Sequence, residues 1–326
     1  QQQAWRLSGF EEAILAPFGE GQIRHFVDRW YTHMARVQRL GMENALGRAE
    51  LLKRAIFASE RLQDFARRPL LLTLMASLHA WRGGSLPENR EELYADAVDL
   101  LLDWWESQRV VRNAEGEILL ILPSLAEWLK VEDRAKVRTL LNRLAYEAHA
   151  EQKDLEGTAD IPRDKLVGGL LDISQNPDVK PRRLEEYLSR RAGLLLPRGV
   201  GVYTFPHRTF QEYLAACYLT DHEYPDKVAD LAKTEPNRWR EVALLAGAKS
   251  ARGSDFALWA LVDALCHRDL SEDETQRAPD AWGALLAGQA LVESADLDKV
   301  SERNRTKVER VVTHLVRVME AGKLPA

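Results

Sequence analysis

The chain of 326 residues has room for roughly two or three domains, and its 45% hydrophobic content excludes a disordered chain. A formal net charge of -5 excludes a global electrostatic attraction to nucleic acid, although a local basic patch remains compatible with it. No apolar run approaches the roughly 20 residues of a membrane helix, and the distant cysteines, Cys217 and Cys266, exclude a disulfide framework. We therefore expect a cytoplasmic protein with no membrane partner.

The chain begins as "QQQAWRLSGF", without Met, so we expect a fragment of a longer protein in which residues 1–18 end an upstream domain. Residues 19–112 carry apolar residues at spacings of three and four, which predicts a first helical domain. One of its helices begins at Pro69, because proline is tolerated in a first turn. That helix, "PLLLTLMASLHAW", is apolar on nearly every side, which predicts a central position.

The next helix is predicted from a capping-box spacing, Ser85 to Glu88, and its pattern continues to Arg109. A turn is predicted at "NAEGE", residues 113–117, and "LPSLAEWL" is predicted to be a further helix.

Residues 113–222 are predicted to form a winged-helix domain. Helical patterns include "DRAKVRTLLNRLAYEAHAEQ", "IPRDKLVGGLLDI" and "RRLEEYLSRRAGLL", and the pair Gly168–Gly169 in the second of them suggests close packing. Two β-prone arms, Leu194–Leu196 and Val202–Phe205, flank a Pro/Gly turn and predict a small hairpin. A further helix follows, and this order of elements is typical of a winged helix.

Residues 223–326 show only helical patterns, which predicts a C-terminal helical domain. Its short paired helices are typical of a solenoid, although no clean repeat period is present. The fold class is therefore mainly α: a helical bundle, a winged helix with a small β-hairpin, and a helical, solenoid-like C-terminal region.

The sequence contains no complete catalytic motif. Neither a GxxxxGK[ST] phosphate loop nor GxGxxG, HExxH or GxSxG is present, and the histidines and cysteines lack metal-ligand spacing. We therefore assign no catalytic residue and no metal ligand, and we do not expect this chain alone to be an enzyme.

A basic cluster lies around the third helix of the predicted winged helix. It consists of Lys180, Arg182, Arg183, Arg190, Arg191 and Arg198. Such a cluster could bind DNA phosphates, and a DNA-binding winged-helix regulator is one alternative function. The more common explanation is a solvated surface that Glu185 and Glu186 partly neutralise, so DNA is not the expected partner.

Three stretches, together and in this order, resemble the NACHT group of STAND signalling ATPases. "LSGFEEAILAPFGEGQIRHFVDRWY" is similar to the segment that leaves the nucleotide-binding domain. "RRPLLLTLMASLHAWRGGSLPENREELYADAVDLLL" is similar to the first helical domain, with its Pro-Leu helix start and LY pair. "YTFPHRTFQEYLAACYL" is similar to the end of the winged helix. The resemblance covers roughly residues 1–220.

The resemblance implies that ADP or ATP, with Mg, is the cofactor of the intact protein. In that family ADP is buried between the nucleotide-binding core, the first helical domain and the winged helix. A proline before the central helix packs near the adenine, and a winged-helix histidine reaches the β-phosphate and holds the closed, resting form. The matching residues here are Pro69 and His207. A protonated histidine would donate a charge-assisted hydrogen bond to phosphate.

The resemblance also implies an upstream nucleotide-binding domain, self-association on activation, and signalling set off by an unspecified trigger, a protein among the options. Antiphage defence is a common role of bacterial members. The phosphate loop, the Mg-binding acidic strand and the arginine-bearing strand of the family have no match here, so this chain alone is not expected to hydrolyse ATP.

Structural roles compete with these assignments. A lone histidine at a helix start is usually a cap, and Pro69 has an ordinary role as a helix starter. Phe210, Tyr213 and Leu214 are predicted core residues, whereas Gln211 and Glu212 are predicted first-turn polar groups. Four tryptophans are predicted to be packing residues and not a base-stacking platform: Trp104, Trp105, Trp239 and Trp259. A helical protein-interaction scaffold without a nucleotide role is the remaining alternative.

Overall fold

The computed structural model describes residues 16–38, 41–87, 89–103, 109–112, 118–122, 131–153, 155, 157–173, 181–191, 193–267 and 274–320. These residues are mainly helical, with short antiparallel strands, which confirms the predicted fold class. The chain divides into two compact units, residues 1–100 and 101–326. Among the described helices, none combines the length and hydrophobicity that crossing a bilayer requires.

The first unit is a helical bundle. Its helices are α1 (Glu20–Gln38), α2 (Met42–Phe57), α3 (Glu60–Ala66), α4 (Pro69–Trp81) and the larger part of α5 (Arg90–Asp103). The helix α4 contacts α1, α2 and α3 and buries Leu71, Met75 and Leu78 among other side chains, so its predicted central position is confirmed. Burying such side chains stabilises the bundle by about 2 kcal/mol each.

The helix α5 starts later than the sequence pattern suggests. It begins at Arg90, not Ser85, because the side chain of Asn89 accepts a hydrogen bond from the Glu92 backbone N–H at 2.8 Å and satisfies the first turn. Its described part reaches Asp103, and residue 109, where the helical pattern was predicted to end, belongs to a strand. Trp104 and Trp105 lie outside the described residues.

An antiparallel hairpin stands where the end of α5 and a turn were predicted. Strand β1 (Arg109–Arg112) pairs with β2 (Ile118–Leu122), with Val110 opposite Ile121. The sequence VV followed by ILLI is rich in β-branched residues, which favour strands. The predicted domain limit between 112 and 113 therefore falls between two paired strands. The predicted turn at 113–117 and nearly all of the helix "LPSLAEWL" lie outside the described residues.

The winged helix occupies the first part of the second unit. Its elements are α6 (Val131–Glu151), β3 (Ile161–Pro162), α7 (Arg163–Ile173), α8 (Pro181–Glu186) with a π-helical turn (Tyr187–Arg191), β4 (Leu196–Gly199), β5 (Val202–Thr204) and α9 (Arg208–His222). The sheet order is β3–β5–β4, all antiparallel. The helices α6 and α9 pack together, and the rings of Tyr146 and Tyr218 stack with centroids 4.7 Å apart.

Two details of the winged helix differ from the sequence-based prediction. The first arm of the wing is Leu196–Gly199 and not Leu194–Leu196, because Leu194 and Leu195 are fully buried. Strand β3 was not predicted, since a two-residue strand carries no periodicity. The turn itself agrees with the prediction: Gly201 has φ 73°, a left-handed conformation that favours glycine.

The C-terminal helices are α10 (Asp226–Thr234), α11 (Pro236–Gly253), α12 (Asp255–Leu265), α13 (Glu274–Ser294) and α14 (Glu302–Glu320). Every pair among α10, α11, α12 and α13 is in contact, and α14 packs on α12 and α13. Such mutual contacts are closer to a bundle than to the stacked pairs of a solenoid. Trp239 and Trp259 are buried, which confirms them as packing residues. The helix α11 also contacts α9 and so joins this group to the winged helix.

Candidate functional site

His207 is the N-cap residue of α9. Its backbone is extended, with φ -152° and ψ 149°, and its ring nitrogen Nδ1 accepts a hydrogen bond from the Thr209 backbone N–H at 3.2 Å. Nδ1 also lies 2.9 Å from the Thr209 hydroxyl, and the side chain is half-buried. The cap role that competes with ligand binding is therefore present in the structure.

This geometry assigns the proton of the ring. A backbone N–H can only donate, so Nδ1 must be the acceptor and the proton of the neutral imidazole must be on Nε2. The prediction of a protonated imidazole differs from this arrangement, because a proton on Nδ1 would break the cap. In this conformation Nε2 is the ring nitrogen that carries the proton.

The end of α9 that carries His207 is suited to an anion. The helix has 15 residues, and the backbone N–H groups of its first turn give that end a partial positive charge. Arg208 follows the cap, and its Nε donates to a Glu212 carboxylate oxygen at 2.7 Å. The pair fixes the arginine along the helix and partly neutralises it.

A buried polar network lies behind the first turn of α9. Gln211 is fully buried; its Oε1 accepts from the Ala159 N–H at 2.8 Å, and its Nε2 lies 3.0 Å from Nδ1 of His149. Nε2 of His149 in turn lies 3.0 Å from the Arg238 carbonyl oxygen. The amide of Gln211 donates to Nδ1 if His149 carries its proton on Nε2, which is also the tautomer that donates to Arg238.

The partner of this network on α11 is Arg238. Its guanidinium donates to the carbonyl oxygens of His149 at 2.8 Å and Gln152 at 2.7 Å, at the end of α6. Three helices, α6, α9 and α11, are thereby joined. Gln211 and Glu212, which were predicted as first-turn polar groups, are buried in this packing, and Phe210, Tyr213 and Leu214 are core residues as predicted.

Burial controls the charge state of the network. Enclosure in the protein lowers the pKa of His149 to about 4, and the neighbouring cations Arg208 and Arg238 act in the same direction. His149 is therefore neutral at physiological pH. No periodic pattern singles out His149, and the hint of the network in the sequence is a glutamine inside the apolar run of α9.

Pro69 is in the first unit and His207 in the second. Pro69 is the first residue of α4 and is exposed, and its carbonyl oxygen accepts from the Thr73 hydroxyl at 2.8 Å. Its helix-starting role is thus present, and its ring surface remains accessible to an apolar ligand group. Within the described residues no group of three or more His, Cys, Asp or Glu side chains could hold a metal ion.

The basic cluster is partly neutralised. Glu185 of α8 is buried, pairs with Arg163 through both carboxylate oxygens, and accepts from the Tyr203 hydroxyl at 2.7 Å. The Arg163 guanidinium lowers the pKa of this carboxyl. Arg198 of the wing donates to the Thr158 carbonyl and to Asp160.

The remaining members of the basic cluster lie on or beside α8. Arg182 and Arg183 are exposed. Lys180 lies outside the described residues, and so do the side chains of Arg190 and Arg191.

The order of helices and strands and the strand order β3–β5–β4 define a winged helix-turn-helix protein embedded in other helices. Residues 90–219 match the family model described as the winged helix-turn-helix domain C-terminal to NACHT. The match begins at the start of α5, includes His207, and ends at Leu219 within α9. No curated protein matches the chain. The resemblance to NACHT-type proteins is therefore confirmed over residues 90–219, and the matched domain is of a kind that follows a NACHT nucleotide-binding domain.

Proposed function

We propose that this chain is the regulatory portion of a NACHT-type STAND ATPase. It senses whether ADP or ATP is bound and controls the opening and self-association of the intact protein in signalling. Antiphage defence belongs to the same proposal if the protein is bacterial. The observation that carries the proposal is the position of His207, a capping histidine inside a matched NACHT-associated winged helix.

The role proposed for His207 is to donate Nε2–H to the β-phosphate of ADP. Nδ1 is held by the Thr209 N–H, so the ring orientation is fixed and Nε2 is the donor. The start of α9 adds a partial positive charge. A hydrogen bond to a charged group contributes about 1.5–3 kcal/mol, which is enough to bias a two-state equilibrium about tenfold or more.

Pro69 has a separate role in the proposal. Its exposed ring at the start of α4 offers rigid apolar surface to an adenine base. Neither residue performs chemistry: ATP hydrolysis and Mg²⁺ binding would belong to the upstream NACHT domain, and this chain would report the nucleotide state of that domain. Gain of the γ-phosphate would weaken the closed form, as in other nucleotide switches.

The test separates the cap role of His207 from its phosphate role. In the intact protein, His207→Asn keeps an acceptor for the Thr209 N–H, because Asn is a strong N-cap residue, but removes the Nε2 donor. We expect His207→Asn to release ADP about tenfold faster or more. Its free energy of unfolding should change by less than about 0.5 kcal/mol.

Two further variants complete the design. His207→Ala removes both functions, so it should also lose about 1 kcal/mol of stability. His222→Asn, at the exposed far end of the same helix, should leave ADP release unchanged. If His207→Asn retains ADP and the resting state as the wild type does, the histidine is only a cap and the proposal fails.

A further inference from the structure

An apolar groove lies between α13 and α14, far along the chain from His207. Its walls include Leu285 and Leu291 of α13 and Val308, Val311 and Leu315 of α14, and its volume is about 390 Å³. The helices approach closely at Gly288, where a Cβ would lie 3.1 Å from a Leu315 methyl carbon. We call this the α13–α14 groove.

Exposed apolar side chains concentrate beside this groove. They are Val292, Leu297, Val312, Val316 and Met319, which are five of the twelve exposed large hydrophobic side chains among the described residues. Val292, Leu297 and Val312 line the groove itself, and exposed apolar surface of this kind often marks an interaction site. The proposed nucleotide role makes no use of it.

The helix α14 is apolar on two sides. Val311, His314 and Val318 are buried, whereas Val312, Val316 and Met319 are exposed at spacings of four and three residues. Exposed residues at spacings of four and three form one ridge along the helix, and a second amphipathic helix can pack against such a ridge.

The charges beside the ridge are mostly acidic. Glu309 lies three residues before Val312, Glu320 lies four residues after Val316, and Glu302 lies seven residues before Glu309 on the same edge; all three are exposed. Within the described part of the chain these three carboxylates form no ion pair. One cation, Arg305, lies on this face, and Glu293 is part of the wall of the groove on α13.

We propose that the α13–α14 groove binds an amphipathic helix of a partner whose apolar ridge is flanked by lysine or arginine. The apolar wall supplies the contact area and the glutamates select the charge of the partner. A second copy of α14 fits poorly. When two copies pair antiparallel along this ridge, the glutamate edge of one copy faces the glutamate edge of the other, and the like charges repel.

The experiment uses two designed peptides as long as α14, with the same leucine ridge but with lysine or glutamate flanks. Binding to the whole chain is measured by fluorescence anisotropy at two salt concentrations. We expect the lysine-flanked peptide to bind, and to bind more weakly at high salt. The glutamate-flanked peptide should bind at least about tenfold more weakly.

Variants of the chain locate the site. Val312→Asp should weaken binding of the lysine-flanked peptide by about tenfold or more, because it places a charge on the ridge. Val200→Asp, at the fully exposed tip of the wing, is the matched control and should change nothing. Both positions are exposed, so folding is retained, and circular dichroism checks this.

Three results would overturn the proposal: no binding of the lysine-flanked peptide, equal affinity for both peptides, or a self-association of the chain that Val312→Asp abolishes. The last result would make the groove an interface between copies. None of these results bears on ADP release by His207 variants.

Discussion

At the scale of single residues, the two nitrogens of an imidazole can serve two purposes, and His207 and His149 show how the surroundings decide. His207 uses Nδ1 for its own helix, and its proton is on Nε2 at a half-buried position. His149 is fully buried, and both of its nitrogens have partners inside the protein, Gln211 and the Arg238 carbonyl. The position of His207 suits a ligand contact, whereas His149 has a structural role.

The structural role of His149 predicts a specific dependence of stability on pH. Its pKa is about 4 in the folded chain against an ordinary 6.5, so the unfolded chain binds the proton first as the pH falls. The stability contributed by the neutral ring is complete above about pH 6.5 and is lost between there and about pH 4. The loss should be roughly 3 kcal/mol, measured by urea unfolding at a series of pH values.

His149→Gln tests this assignment, because its amide can replace both hydrogen bonds without titrating. The variant should lose roughly 3 kcal/mol less than the wild type over the same pH range. His25→Gln, exposed on α1, should keep the wild-type profile. Some acid sensitivity should remain in every variant, since burial also lowers the pKa of His79. An unchanged profile in His149→Gln would contradict the assignment.

At the scale of elements, the sequence predicted the helices and strands that have a hydrophobic period or are bounded by proline or glycine. Amphipathic spacing located α1, Pro69 before an apolar run located α4, and the Pro/Gly turn located the wing. The strand β3 and the hairpin β1–β2 were missed because short strands have too few residues for a period. The start of α5 was misplaced because Ser85 and Asn89 both offer a cap, and only the folded chain shows which one is used.

The candidate site was predictable in part for the same physical reason. His207 stands directly before an apolar helix, so its cap position could be predicted from local sequence alone. The partners of Gln211 come from Ala159 and His149, more than 50 residues away along the chain. Contacts of that kind depend on the packing of α6 against α9, and no local pattern encodes them. The tautomer of His207 likewise required the observed Thr209 hydrogen bond.

Some glycines lie where one helix packs closely on another, and replacing them tests that packing. The pair Gly168–Gly169 was expected to mark close packing, and the structure confirms this for Gly169 alone, whose added Cβ would overlap Leu140. A stricter case is Gly283 of α13, where an added Cβ would overlap the backbone carbonyl oxygen of Leu265. A backbone atom at the end of α12 cannot rotate away as a side chain can.

Gly283→Ala should therefore destabilise the chain by about 1–3 kcal/mol, despite the better helix propensity of alanine. Gly168→Ala is the control: Gly168 is exposed on α7 with no atom near the added Cβ, so this variant should gain up to about 1 kcal/mol. Thermal unfolding of both variants measures the difference. Equal stability of the two would show that α12 and α13 are not held as closely as described.

At the scale of the whole molecule, charge weighs against the alternative of a DNA-binding regulator. The formal net charge is -5, so long-range steering toward a polyanion is absent. Locally, Glu185 pairs with Arg163 beside the recognition-type helix α8, and Arg198 of the wing is held by Asp160. The arginines that remain exposed on α8, Arg182 and Arg183, are few beside the six or more phosphate contacts common in DNA complexes.

We therefore expect no salt-dependent binding of duplex DNA at physiological ionic strength, measured by fluorescence anisotropy with a labelled random duplex. A variant with four arginines changed to glutamine should behave as the wild type does; these are Arg182, Arg183, Arg190 and Arg191. A control variant neutralises Arg303, Arg305 and Arg317 on α14 and so lowers the net charge away from the winged helix. Micromolar binding that falls with salt, and that only the first variant abolishes, would establish the DNA-binding alternative. Such a result would also show that Glu185 and Asp160 neutralise less of the winged-helix surface than their hydrogen bonds indicate.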